Sequence, residues 1–194
     1  MSNKIVTISR QFGSGGRTIG KMVAKQLEIP CYDQEIIRKL VEEKGFAKEY
    51  AEEYGEYVPN GGIFGKIFSG RDQNGYSVQD QLYIFQSNLI KQLAENGPCV
   101  IVGRCADYIL RDHAELLKVF IHADMSKRAD RIVRLYGERT DSPEKRLRDK
   151  DKRRAAYYQI YTDMKWGDIR NYHVALDSGV IGIDNCVETI VRLY

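Results

Sequence analysis

No apolar run in this 194-residue chain approaches the roughly 20 residues needed to cross a bilayer, so no membrane-spanning helix and no membrane partner are expected. The opening residues, MSNKIVTISR, enter a strand pattern directly, without the apolar core of a secretory leader, and a cytoplasmic protein is the expectation. Cysteine is sparse: Cys31, Cys99, Cys105 and Cys186 are far apart, with no C-x-x-C pair and no zinc-site spacing. Reduced thiols in or near the core follow. The chain has no internal repeat, and its length and 43% hydrophobic content fit one α/β domain over residues 1–194.

Charge is small in sum and uneven in distribution. The net charge is +3, yet residues 127–154 hold twelve lysines and arginines against six acids. A segment this basic can solvate a helix face, bind nucleic acid or close over nucleotide phosphates.

The main functional signal lies at the other end, in the stretch Ile5 to Gly20, IVTISRQFGSGGRTIG. An apolar, β-branched run of strand type leads into Gly13, Ser14, Gly15 and Gly16, then Arg17 and Thr18, and then an amphipathic helical pattern. Strand, glycine turn, basic residue and hydroxyl form the order of a phosphate-binding loop. There backbone N–H groups converge on a polyanion at a helix N-terminus, where the dipole favours negative charge. Against the usual G-x-x-x-x-G-K-[ST], the first glycine falls on Gln11 and the lysine on Arg17. Arginine keeps the charge and can bond two phosphate oxygens at once, though it is bulkier than lysine.

Further along, strands and helices alternate. Helix is expected over 18–27, strand or turn at 31–33, helix over 79–95, strand over 99–102 and 117–122, helix over 126–136 and from Pro143 to Tyr161. A last strand over 171–176, a turn at 177–179 and a helix over 185–193 close the chain. Glycines between Gly55 and Gly75, with Pro59, Asn60 and Asn74, mark a long irregular segment interrupted by Tyr57, Phe64, Phe68 and Tyr76. This order predicts a parallel sheet of about five strands with right-handed crossovers. Asp33 and Arg104 follow strands, where open parallel sheets bind ligands, although Asp33 also suits a helix cap. Asp124 suits a metal-bound water or a helix start, and Arg128 and Arg131 share one helix face.

Together the opening ISRQFGSGG, the following YD, the strand ending in VGR and the basic DKRRAAYY resemble the cytidylate kinase-like branch of the P-loop nucleoside monophosphate kinases, across nearly the whole chain. The resemblance implies a P-loop NTPase three-layer fold, with a mobile acceptor-side insertion at about 45–78 and a basic helical lid at about 137–170. It implies that Gly13, Ser14, Gly15, Gly16, Arg17 and Thr18 bind the donor phosphates and that Thr18 contacts Mg²⁺. It implies that Arg104 holds the acceptor phosphate, that Arg128 and Arg131 face the phosphates, and that Asp151 and Arg154 belong to the lid's D-x-x-R. Asp177 and Ser178 resemble the turn near the donor base. The chain departs in three places: Asp33-Gln34-Glu35 stands where typical members have D-S-G, Val102 where they have an acid before Gly-Arg, and Arg17 for lysine.

The leading expectation is ATP-dependent phosphoryl transfer, with Mg²⁺, to a small phosphorylated acceptor, a nucleoside monophosphate first. Arg17, Arg104, Arg128, Arg131 and Arg154 would supply the neutralising charge, with Asp33 on the substrate side. A nucleotide-binding regulator without turnover is the alternative. A nucleic-acid partner ranks below both, because Tyr157, Tyr158, Tyr161 and Trp166 beside the basic stretch carry no RNA-binding motif and equally suit a homo-oligomer contact.

Overall fold

Apolar β-branched runs covered on both faces build the centre of the molecule. The computed structural model describes residues 4–34, 77–113 and 115–194. Among them β1 (Ile5–Arg10), β2 (Cys31–Tyr32), β3 (Cys99–Val102), β4 (Leu116–His122) and β5 (Val174–Asp177) form one parallel sheet in the order β2-β3-β1-β4-β5. The helices are α1 (Gly16–Gln26), α2 (Val78–Glu95), α3 (Ala106–Ile109), α4 (Met125–Tyr136), α5 (Pro143–Thr162) and α6 (Ser178–Leu193). Residues 45–76 of the expected insertion, with Tyr57, Phe64, Phe68 and Tyr76, lie outside the described residues.

Strand parity sorts the core into two. Val6 and Ile8 of β1, Val100 and Val102 of β3, and Val119 and Ile121 of β4 face α1 and α6, where Ile19, Val23, Val187 and Ile190 meet them. Ile5, Cys99 and Ile101 face the other way, onto Leu82 and Ile90 of α2, Ile109 of α3 and Tyr157 and Tyr158 of α5. Successive side chains of a strand point to opposite faces, so an unbroken apolar run is what a doubly covered strand requires. Each fully buried Val or Ile contributes about 1.5–3 kcal/mol.

Most elements begin and end where local signals put them. Ser142 caps α5, its hydroxyl accepting from Lys145 N at 3.3 Å, with Pro143 in the first turn. Asp124 takes the helix-start role, its carboxylate accepting from Ser126 N at 2.8 Å. The chain's end differs from expectation. A 3-10 turn at Ile169–Asn171, capped by Asp168, displaces the last strand to Val174–Asp177. Asp177 then caps α6, its carboxylate accepting from Gly179 N at 2.9 Å, so helix starts at Ser178 instead of Asn185 and breaks only at Gly182. All four cysteines are free, and burial pushes the thiols of Cys31 and Cys186 up to about 11 and that of Cys99 up to about 12. Their thiolate forms are suppressed accordingly.

On the face away from α1 the packing encloses a polar trio. Tyr158 donates to Asp107 Oδ2 at 2.7 Å and Ser9 donates to Oδ1 at 3.3 Å. Burial raises the Asp107 carboxyl above its ordinary value, and these two hydrogen bonds oppose the rise. With the folded value above the unfolded one, both states hold the proton at acid pH; the native state loses stability as pH rises from near 4, and the loss is complete above the raised value. Asp107→Asn keeps an acceptor for Tyr158 and removes that titration. The variant should therefore gain stability relative to wild type between pH 4 and pH 8, read as melting temperature across that range; a relative loss with rising pH contradicts the account.

Candidate active site

The glycine loop is pinned on every side before any ligand arrives. Where β1 ends, Gln11 N donates to Ile121 O at 2.9 Å and the Gln11 side-chain oxygen accepts from Ala123 N at 3.2 Å. The residue at the first-glycine position thus ties the loop to the end of β4. Ser14 is buried, and its hydroxyl is within 2.9 Å of Gln11 O and 3.1 Å of Ile121 O. Ser178 donates at 2.6 Å to Ser14 O, so this member of the expected base-side turn serves as a strut behind the loop. Gly13 has φ +80 and Gly15, at the N-cap of α1, φ +84. The first-turn N–H groups of α1, those of Gly16, Arg17 and Thr18, have no acceptor within the helix by position and lie where an anion is favoured.

These amides border a cavity of about 580 Å³, closed on its far side by α4 and α5. Among the described residues eight lysines and arginines line it against three aspartates, an imbalance that suits a polyphosphate. Four of the cations, Arg146, Lys150, Arg153 and Arg154, come from α5, so much of the basic run faces this space.

Within it Arg17 takes a partner across the site. Its Nε donates to Asp33 Oδ2 at 2.6 Å, and Lys21 Nζ lies 3.4 Å from the same oxygen. Asp33, at the end of β2, is 1% exposed while the Arg17 side chain is 48% exposed. A residue expected on the donor phosphates is therefore ionically joined to one expected on the acceptor side. The cap role expected for Asp33 concerns residues that lie, beyond Gln34, outside the described residues. Thr18 Oγ1 accepts from Arg131 Nη2 at 3.0 Å, and both residues border the cavity.

The remaining expected residues divide in two. Arg128 is buried; its Nη1 donates to Asp151 Oδ2 at 2.6 Å and to Phe12 O at 3.2 Å, while Asp151 Oδ1 accepts from Phe12 N at 2.7 Å. Neither Arg128 nor Asp151 lines the cavity. They clamp the loop to α4 and α5. Arg104 lies in a second, 20 Å³ cavity on the far side of Arg154, its Nη1 donating to Gln86 Oε1 at 3.1 Å. Arg104 and Cys105 have φ +62 and +54, a left-handed bend that no local signal announced. Such geometry costs about 1–2 kcal/mol per residue and clusters at functional positions. Asp177 sits behind the loop as the α6 cap, 3.7 Å from His122 Nδ1.

Sequence reasoning overlooked Phe12. Its ring stacks on Tyr136 at 6.1 Å, with Lys150 and Arg154 over it at 5.8 and 5.7 Å. An aromatic inside a glycine loop was the available signal.

Among the described residues no three His, Cys, Asp or Glu side chains gather as a metal cage. Magnesium, however, keeps waters and phosphate oxygens as ligands and asks little of a protein. The Thr18 hydroxyl, beside the loop amides and accepting from Arg131 Nη2, is the side-chain oxygen that would hold an ion carried in by a nucleotide.

The chain has relatives with names. The model of the "Cytidylate kinase-like family" matches residues 5–180. A cytidylate kinase of Archaeoglobus fulgidus is 29% identical, covering 96% of this chain and 92% of its own length. Among solved structures, an uncharacterized protein from Eubacterium ventriosum is 26% identical with a TM-score of 0.75, covering 98% of this chain and 97% of that one. A gluconokinase from Sinorhizobium meliloti superposes with a TM-score of 0.56 at 16% identity, covering 98% and 90%, a likeness of fold.

Proposed function

The chain belongs to the cytidylate kinase-like family, and we propose that it transfers the γ-phosphoryl group of ATP to a small phosphorylated acceptor, a nucleoside monophosphate. One observation carries the reading: the pinned loop and the first turn of α1 open onto a single cavity whose opposite wall, α4 and α5, presents arginines. Phosphoryl transfer asks for in-line positioning and charge neutralisation more than for covalent help.

The loop amides bind the donor phosphates, and Arg131 and Arg154 neutralise charge on the transferring oxygens. Thr18 would hold a magnesium ion that arrives with the nucleotide, and the ion would supply positive charge to offset that of the phosphates. Arg128 and Asp151 act through Phe12, holding the loop at its distance from α5. Arg104 lies beyond Arg154 on Gln86, and the 20 Å³ space beside it admits an acceptor phosphate once that contact opens. The cationic wall also displaces water from the donor, which limits hydrolysis.

Purified protein with Mg²⁺, ATP and a panel of nucleoside monophosphates tests the reading. At least one diphosphate product is expected, and Arg131→Ala should weaken ATP by about tenfold, the worth of one charge-assisted contact. No product from any acceptor, together with undiminished ATP binding by Arg131→Ala, refutes it. The Arg17 to Asp33 pair favours a second reading, a nucleotide-binding regulator without turnover. Tight ATP binding by the wild-type chain with no transfer selects that alternative.

A further inference from the structure

Arg10 ends the central strand, and the strand's parity gives its side chain an unusual address. Val6 and Ile8 of β1 lie in the core beneath α1, and Arg10 continues the same row past the end of the apolar sheet. The residue is only 7% exposed. Its stem runs directly beneath the start of α1: a Cβ on Gly16 would lie 2.5 Å from Arg10 Cβ and 2.9 Å from Cγ. The last glycine of the loop is thus the opening through which this side chain passes. On the same face β3 ends in Val102, so these two strands bring an arginine and a valine to the floor of the loop.

Arg10 and Arg154 are common to the linings of both cavities, the large one at the glycine loop and the small one that holds Arg104. Arg154 Nη1 donates to Arg10 O at 3.1 Å, which fixes the two residues beside one another. Arg10 and Arg154 thus stand between the space at the loop amides and the space that holds Arg104.

We propose that Arg10 contacts the terminal phosphoryl group of the donor nucleotide. The inference rests on the loop being the donor site, as proposed above. A planar guanidinium can bond two phosphoryl oxygens at once, and burial spares it the screening that weakens an exposed arginine. With the Arg17 guanidinium on Asp33, Arg10 brings positive charge to the loop from below. A contact to the terminal group is made to a nucleoside triphosphate and lost with the diphosphate. Arg10 therefore sets the preference between the two.

Calorimetry on the full chain with Mg²⁺ tests this, comparing ADP with the β,γ-imido analogue of ATP for wild type, Arg10→Lys and Arg10→Met. In Arg10→Met the analogue should bind about tenfold more weakly while ADP stays within about twofold; Arg10→Lys, which keeps charge without the planar fork, should fall between. Equal losses for both nucleotides would mean that Arg10 shapes the loop, and no change in either would mean that it touches neither; both results overturn the inference. If Arg10→Met does not fold, Arg10→Lys carries the comparison, and failure of both to fold makes Arg10 a structural cation and overturns the inference too. The acceptor panel with wild-type protein separately judges the functional reading, since the ratio of the two affinities needs no turnover.

Discussion

Replacing Gly13 with alanine should abolish measurable ATP binding, with an affinity loss of about 100-fold or more. Two costs combine at this position. Gly13 has φ +80, a conformation that costs an L residue roughly 1–2 kcal/mol. The added Cβ would also stand 2.9 Å from the backbone carbonyl of Arg128, 3.0 Å from Ile132 Cγ2 and 3.1 Å from Arg128 Cβ. A backbone carbonyl inside a helix cannot swing aside, so the loop itself must move. Its amides would then no longer converge on one phosphate. A melting temperature lower by roughly 4–8 °C should accompany the loss, from about 2 kcal/mol in a domain of this size. Titration with ATP and thermal unfolding check both effects, and ATP binding within threefold of wild type refutes the cradle.

The largest loss of stability is expected from Asp151→Ala. Arg128 is 5% exposed and Asp151 17%, so solvent screens their 2.6 Å contact little. Removing the carboxylate strands a buried guanidinium and takes the acceptor from Phe12 N, a change of about 3–5 kcal/mol. At roughly 2–4 °C per kcal/mol the melting temperature should fall by about 6–20 °C. The double variant Arg128→Met with Asp151→Leu removes both charges and should recover most of that loss, because an apolar pair of similar volume needs no desolvation. Its turnover should nevertheless stay low, since Phe12 has lost both backbone partners. Denaturant titration of Arg128→Met, Asp151→Leu and the double gives the coupling directly. A cost under about 1 kcal/mol for Asp151→Ala would show that the pair is not the clamp described here.

These two cases show where sequence reasoning reached its limit. Gly13 was legible as part of a phosphate loop because strand, glycines and helix are contiguous in the chain. The α5 start was legible for the same reason, in Ser142-Pro143-Glu144, as was β3 in Cys99-Val100-Ile101-Val102. Arg128 and Asp151 were legible only as charges of a kinase-like pattern. Their pairing spans 23 residues and hides them from the cavity, a fact of how α4 packs on α5. The helix α3 went unseen because it follows two non-glycine residues in left-handed conformation, where local preference argues for no helix start. Asp177 and Ser178 were placed in a turn; in the fold Asp177 ends β5 and caps α6, and Ser178 is the first residue of that helix.

By itself the sequence determined the order of the strands and of every described helix but α3, the parallel sheet and the position of the glycine loop. Those properties follow from hydrophobic period and turn chemistry, which act over a few neighbouring residues. Tertiary structure alone decided which arginines face the cavity and which are locked away. Arg128 went to Asp151, Arg17 to Asp33, Arg104 to Gln86, and Arg10 beneath Gly16. A guanidinium on a long stem takes its direction from whatever carboxylate, carbonyl or glycine gap stands within reach, and here those partners lie from 6 residues away, as for Gly16, to 23, as for Asp151. Only the folded chain places such partners together.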